Sequence, residues 1–190
     1  MTKKLLVLLI VLLMGFLLVP LAADALPKGA VGYKLYHQDG GQWVRYRQGD
    51  PFPSGGNVWK YDYEVMNYQF STGVYQFMIF FNSDNILRST YTSAVAPTGW
   101  TILYYPPVAP AVNWKVRFRT TQTQYYVPMN DTLPGCTVQF TWGAPGTAPG
   151  PQNYDLVAST GSESGVTHEL PPEQTDVAPT TWGRIKASFR

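Results

Sequence analysis

The residues best suited to acid–base or metal chemistry are few in this chain of 190 residues. It holds two histidines, His37 and His168, and one cysteine, Cys136. The histidines lie far apart in sequence, and neither belongs to an H-E-x-x-H, calcium-loop or other recognisable signature. They read as surface or strand-end residues. Asp62 and Glu64 stand two positions apart, about 6–7 Å along a strand, a separation at which paired carboxylates serve glycoside hydrolysis. Lys60 shares their face, however, and nothing in the sequence raises the pKa of either carboxylate. The three read as the solvated face of a strand. Gly161-Ser-Glu-Ser-Gly165 has the glycine spacing of a nucleophile elbow but carries Glu163 where a serine is required, so it reads as a turn. No phosphate loop or dinucleotide fingerprint occurs. No catalytic residue, metal site or cofactor is expected.

Binding residues are better represented. Trp43, Arg45 and Arg47 alternate with Val44 and Tyr46, which puts an aromatic ring and two guanidinium groups on one strand face. Such a group stacks on a sugar or on a partner's side chain when it is exposed. Tyr104-Tyr105 and Tyr125-Tyr126 each turn one ring outward by the same alternation. An extracellular glycan or a protein is the ligand class these residues suit. At the far end, Trp182, Ile185 and Phe189 fall at helical spacing among Arg184, Lys186 and Arg190. This short basic tail, residues 180–190, is expected to need a partner surface, such as export or surface machinery.

The composition narrows the classes further. Charged residues make up 14% of the chain, hydrophobic residues 45% and aromatic residues 15%, with a net charge of +2. Disordered chains are charge-rich and aromatic-poor, which excludes that class. Near-neutrality gives no electrostatic footprint for nucleic acid. A single cysteine excludes an internal disulfide.

Residues 1–25 read as an address. Lys3 and Lys4 precede an uncharged run from Leu5 to Val19, then Pro20 and Ala23-Asp-Ala25. A basic start, an apolar centre and an A-x-A site describe a secretory signal cleaved after Ala25. An uncleaved anchor is the alternative. The rest of the chain is expected to be secreted or held at the cell surface, with no membrane span after signal removal.

The elements that would position the binding residues are strands. Asn57–Met66, Val112–Arg119 and Cys136–Trp142 alternate with a period of two, placing Trp59, Tyr61, Tyr63, Val116, Phe118 and Cys136 on core faces. Gly73–Phe81 is more continuously apolar and reads as a central strand buried on both faces. Weaker strands are expected at Val31–His37, Gln42–Arg47, Ile86–Tyr91, Trp100–Tyr105, Gln124–Met129, Tyr154–Thr160 and Gly165–Leu170. Turn signals separate them, among them Asp39-Gly-Gly41 and Pro134-Gly135, and Gly143–Pro151 is a longer loop. The pattern predicts an all-β fold, an antiparallel β-sandwich of immunoglobulin-like or jelly-roll-like type over residues 26–170. A closed barrel is the second choice. Residues 171–179 read as a linker.

Several pieces, in order, resemble exported bacterial β-sandwich modules of the kind found upstream of PEP-CTERM and related surface-sorting tails. They are Gly56-Asn-Val-Trp-Lys-Tyr-Asp-Tyr-Glu-Val with Asn67 behind, Tyr75–Phe81, Ala96-Pro-Thr-Gly-Trp100, Val112-Asn-Trp114, Leu133-Pro-Gly135 before Phe140-Thr-Trp142, and Glu163-Ser-Gly-Val-Thr167. The resemblance implies a secreted, non-catalytic sandwich acting as a structural or interaction module, with a carbohydrate-binding module as the alternative. The chain departs from the pattern at its end, where no apolar span follows residue 25.

Overall fold

The computed structural model describes residues 26–54, 57–81, 91–106, 113–144 and 146–171. Eleven strands follow in chain order: β1 Gly29–Asp39, β2 Gln42–Tyr46, β3 Val58–Asn67, β4 Val74–Phe81, β5 Tyr91–Val95, β6 Thr101–Tyr105, β7 Trp114–Arg119, β8 Asp131–Thr141, β9 Asn153–Ala158, β10 Gly161–Val166 and β11 His168–Glu169. The first sheet runs β11-β1-β3-β8-β5, with β2 also paired to β1, and the second runs β10-β9-β4-β7-β6. All pairings are antiparallel except β1 with β11, which is parallel. The fold is the expected all-β sandwich, with two separate sheets in place of a closed barrel.

Alternation decides which side chains meet between the sheets. Val31, Tyr33 and Leu35 of β1 register with Val65, Tyr63 and Tyr61 of β3, and Tyr61 and Tyr63 in turn with Val138 and Cys136 of β8. From the second sheet Phe77, Ile79 and Phe81 register with Phe118, Val116 and Trp114. All of these are buried, and aromatic rings form more than half of the core. Phe77 stacks on Phe118 at 4.6 Å and Phe81 on Trp114 at 3.9 Å between ring centroids. Burying each such phenylalanine contributes about 1.5–3 kcal/mol. Cys136 is buried and unpaired, and burial pushes its thiol well above the usual range.

A tyrosine-rich core must satisfy its phenols, and Gln152 does this for two of them. Its side-chain amide donates to the Tyr61 hydroxyl, and its side-chain oxygen accepts from the Tyr63 hydroxyl at 3.1 Å. Tyr61 donates onward to the Gly150 carbonyl at 2.6 Å. The Gln152 backbone is held by Thr167, amide to hydroxyl at 2.9 Å and carbonyl to amide at 2.8 Å. Asn67 does similar work at the other end of β3: its amide donates to the carbonyls of Phe70 and Val127, and its oxygen accepts from the Phe70 amide.

Three glycines at two sites explain local geometry. Asp39 pairs with Gln42 across Gly40 and Gly41, whose φ values of 53° and 84° make the two-residue primed turn that suits a twisted hairpin. Gly135, at φ 83°, lies where the β3–β8 register shifts between Tyr63 and Val65. Pro134-Gly135 is therefore a bulge inside β8 and not the expected turn.

Other differences from the sequence reading have physical causes. Gln124–Met129 is not a strand: Thr123–Tyr125 is a 3-10 turn, and Val127 makes a single bridge to Val74. The Trp100 indole donates to the Tyr125 carbonyl at 3.0 Å, fixing that turn. Gly161–Gly165 is strand and not turn, because the reversal falls at Ser159-Thr160 and leaves Gly161 paired with Ala158. Gly165–Leu170 is divided between β10 and β11, which belong to different sheets. Gly73–Phe81 is central but fully buried only on its inner face. His37 is buried on the inner face beside Trp59 and is not a surface residue. Residues 86–90 of the expected Ile86–Tyr91 strand, residues 172–179 of the linker, the signal and the 180–190 tail lie outside the described residues.

Burial holds the Tyr61 and Tyr63 phenols well above the ordinary value of 10.0. In this case the unfolded chain loses those protons first as pH rises, and the folded state does not. The contribution of these phenols to stability is expected to be level below pH 10 and to fall above it by about 1.4 kcal/mol per pH unit for each. Denaturant unfolding across pH 8–11.5 checks this; a Tyr61→Phe variant should show a shallower fall.

Candidate interaction surfaces

The outer face of the first sheet holds the residues nominated by sequence. Trp43 and Arg45 of β2 face outward with Tyr36 of β1 and Lys60 of β3, since Tyr36 registers with both Arg45 and Lys60. The Lys60 ammonium lies 4.6 Å from the Tyr36 ring centroid and 4.9 Å from that of Trp43, and the Arg45 guanidinium lies 5.6 Å from Tyr36. Trp43 and Arg45 are half-buried. Arg45 also donates to the Leu170 carbonyl at 3.0 Å and stands 3.6 Å from the Glu169 carboxylate. Arg47 falls beyond the end of β2, exposed, in a turn where its backbone amide donates to the Asp50 carboxylate at 2.7 Å. The structure brings Trp43 and Arg45 together and separates Arg47 from them. The cations and rings here engage one another.

Asp62 and Glu64 share this face. Glu64 pairs with Lys34 at 2.9 Å. Asp62 is half-buried, and one of its oxygens is buried with no hydrogen-bond partner. Contrary to the sequence reading, one carboxylate is raised: burial outweighs the opposing pull of Lys34 and Lys60 on Asp62. Two pockets lie elsewhere, and Asp62 lines neither. A pocket of about 210 Å³ between β1, β2 and the 148–150 loop is lined in part by Tyr33, Tyr46, Gln48 and Glu169. An open depression of about 460 Å³ on the second sheet is lined in part by Phe80, Asn113, Asn153, Asp155 and Ser164. Each contains one carboxylate and no histidine. Among the described residues no three His, Cys, Asp or Glu side chains are placed to hold a metal.

The outer face of the second sheet has a different character. Its registers lay out three rows across five strands: Val166, Asn153, Phe80, Lys115 and Tyr105; Ser164, Asp155, Met78, Arg117 and Leu103; Ser162, Val157, Gln76, Arg119 and Thr101. Three cations stand in a column on β7, about 6.6 Å apart by strand rise. Lys115 lies 5.1 Å from the Phe80 ring centroid and Arg117 5.2 Å from that of Tyr105. No ion pair engages any of the three among the described residues, and the Arg117 Nε is buried without a partner. The single acid of the rows, Asp155, accepts from the Ser164 hydroxyl at 2.6 Å. Val166, Leu103 and Tyr105 are 61%, 46% and 36% exposed. The alternation of Val112–Arg119 already shows three outward cations. It does not show that Met78, Phe80, Leu103 and Tyr105 stand beside them, because that depends on strand order.

Because the fold accepts Asp62 more readily in its protonated form, that contribution is complete below pH 3.8 and is lost as pH rises through the raised folded value. Asp62→Asn is therefore expected to raise the melting temperature at pH 7 and to change it less at pH 3.5. Thermal unfolding at the two pH values measures the difference, and a lower melting temperature at pH 7 would contradict the assignment.

Comparison with known proteins places the geometry in context. No family model matches the chain, and no curated protein matches it. Among solved structures it is similar to a cohesin module from a Clostridium perfringens family 33 glycoside hydrolase, at 9% identity and TM-score 0.42, covering 76% of this chain and 99% of that one. It is also similar to a biomass-sensing module of an RsgI-like protein of Clostridium thermocellum, described as resembling a family 3 carbohydrate-binding module, at 10% identity and TM-score 0.38 over 76% and 99% of the two chains. A third is the sixth cohesin of Acetivibrio cellulolyticus scaffoldin B, at 11% identity and TM-score 0.35 over 64% and 92%. Likenesses at this level transfer no ligand, partner or activity to this chain.

Proposed function

We propose that this chain is an exported, non-catalytic interaction module that docks a protein partner across the outer face of its second sheet. The observation that carries the reading is the co-location of the unpaired cation column with an exposed apolar surface. Protein-binding surfaces are enriched in aromatic residues, methionine and arginine at their centre and are polar at the rim. Here Met78, Phe80 and Arg117 stand on the inner strands β4 and β7, with Leu103 and Tyr105 of β6 along one edge and Ser162, Ser164 and Asn153 toward the other. A contiguous patch of this kind marks an interaction site more clearly than scattered exposed residues do. The charge column selects a partner that presents carboxylates among apolar groups. The first sheet's face, by contrast, spends its charges and rings on itself. On the same reading the 180–190 tail, outside the described residues, is a proposed contact for export or surface machinery.

A photo-cross-linking residue at Met78 tests this in the native cell, with one at Thr137 on the opposite face as control. Cross-linked species at position 78 and none at 137 are expected. Lys115→Glu combined with Arg119→Glu should weaken capture of that species at least tenfold while leaving the melting temperature within about 2 °C, as surface changes do. Equal cross-linking from both faces would reject the assignment.

A second reading, glycan binding, rests on Trp43, which is half-exposed at the edge of the first sheet with Lys60 over its ring. A sugar stacking there must displace or share that ammonium. Binding to a saccharide panel that Trp43→Ala abolishes would favour this reading. No binding by the unaltered protein would end it.

A further inference from the structure

Among the described residues strand β6, Thr101–Tyr105, ends the second sheet, with β7 as its strand partner. Half of the backbone amides and carbonyls of an edge strand face away from its neighbour, and native proteins blunt such edges with charge, proline, brevity or irregularity. The opposite edge of this sheet follows that rule, since β10 carries Gly161, Glu163 and Gly165, and β11 in the first sheet is two residues long. Strand β6 does not. It reads Thr-Ile-Leu-Tyr-Tyr, uncharged and strongly strand-forming, and proline follows only after its end. Leu103, Tyr104 and Tyr105 are 46%, 40% and 36% exposed. On the inner side Tyr104 stacks on Tyr91 of β5, with centroids 4.6 Å apart and planes at 13°, so this ring pair closes the same flank of the sandwich while both rings stay partly exposed.

We infer that the β6 edge pairs with β6 of a second copy of this chain, antiparallel about a two-fold axis at Leu103. The strand is complementary to itself in that register. Leu103 stands opposite the second copy's Leu103, Thr101 opposite the second copy's Tyr105, and Ile102 opposite the second copy's Tyr104. These are β-branched, aliphatic and aromatic cross-strand pairs of the kind that stabilise sheets. No like charges are brought opposite one another within the pair. The nearest like charges are on β7, where Arg117 faces the second copy's Arg117 and Lys115 the second copy's Arg119. Their backbones stand three strand spacings apart, about 14 Å, beyond the screening length of about 8 Å in physiological salt. A two-fold pair closes on itself and leaves neither copy with an open β6 edge, whereas a strand lent by another protein requires a selective feature that this uncharged edge lacks. The inference does not rest on the proposed partner-binding face, although Leu103 and Tyr105 of β6 border both.

Light scattering and sedimentation of the full chain over a range of concentrations test it. A dimer is expected, and Leu103→Lys should raise its dissociation constant at least tenfold by setting two ammonium groups opposite each other. Leu103→Cys should form an intermolecular disulfide under mild oxidation, because opposed Cβ atoms in such a pair lie about 4.5–5.5 Å apart. Thr101→Cys, facing the second copy's Tyr105, should not, and the unaltered protein with its buried Cys136 should stay uncrosslinked. If Leu103→Lys fails to fold, the two cysteine variants still decide. A monomer at every concentration, a dimer that Leu103→Lys leaves intact, or equal cross-linking at positions 101 and 103 overturns the inference. The Lys115→Glu and Arg119→Glu pair should leave the dimer unchanged, which separates failure here from failure of the partner-binding reading.

Discussion

Two phenols buried between apolar sheets are the constraint around which this sandwich is arranged. Tyr61 and Tyr63 supply ring area to the core, yet each brings a hydroxyl that costs free energy unless it is bonded. Gln152 meets both from a single side chain. To do so it must itself be buried, and Thr167 holds its backbone there. Gln152 enters β9 of the second sheet, and Thr167 stands between β10 and β11. The polar clasp thus ties β3 of the first sheet to the point where the chain returns from the second. Position and chemistry depend on each other: with no amide at 152, two core tyrosines lose their acceptor or donor together.

Once the inner faces are consumed by packing, any recognition must occur outside, and the two outer faces divide sharply. On the first sheet Lys34 pairs with Glu64, Lys60 lies over two rings, and Arg45 reaches a carbonyl and a carboxylate. Most of its charges already have partners within the chain. On the second sheet Lys115 and Arg117 have aromatic contacts, none of the three β7 cations has an ion partner among the described residues, and apolar side chains stand beside them. Desolvating a charge that already has an internal partner sacrifices that pairing, whereas an unpaired one gains a partner on binding. That difference is what favours the second face in the proposed reading, although the first supplied the more conspicuous sequence pattern.

Much of the fold is legible in the sequence because alternation is strict where one face is buried. Trp59, Tyr61, Tyr63 and Val65 of β3 announce their inward side, as do Val116 and Phe118 of β7. The losses come where local signals are ambiguous. Pro134-Gly135 serves equally for a turn or a bulge, and only the register against Tyr63 and Val65 distinguishes them. The glycines at 161 and 165 suggest a turn, yet strand pairing to Ala158 and Tyr154 overrides that preference. His37 looks polar and terminal but falls on the inward phase of β1. The proposed interaction face is the least legible part. Its rows are assembled from β4, β6, β7, β9 and β10, whose adjacency no local window of sequence contains.

The parallel pairing of β1 with β11 has a mechanical meaning. Gly32 and Tyr33 near the start of the domain lie beside His168 and Glu169 near its end, with the Leu170 amide bonded to the Tyr33 carbonyl and Arg45 bonded to the Leu170 carbonyl. Tension applied at the two sides of the domain draws these strands in opposite directions along their length. The bonds between them are then loaded together in shear and do not open one at a time. Resistance to pulling is set by the rate of crossing that barrier and not by equilibrium stability. A module tethered on one side and loaded on the other would therefore yield first at this short clasp, with the aromatic core behind it still closed.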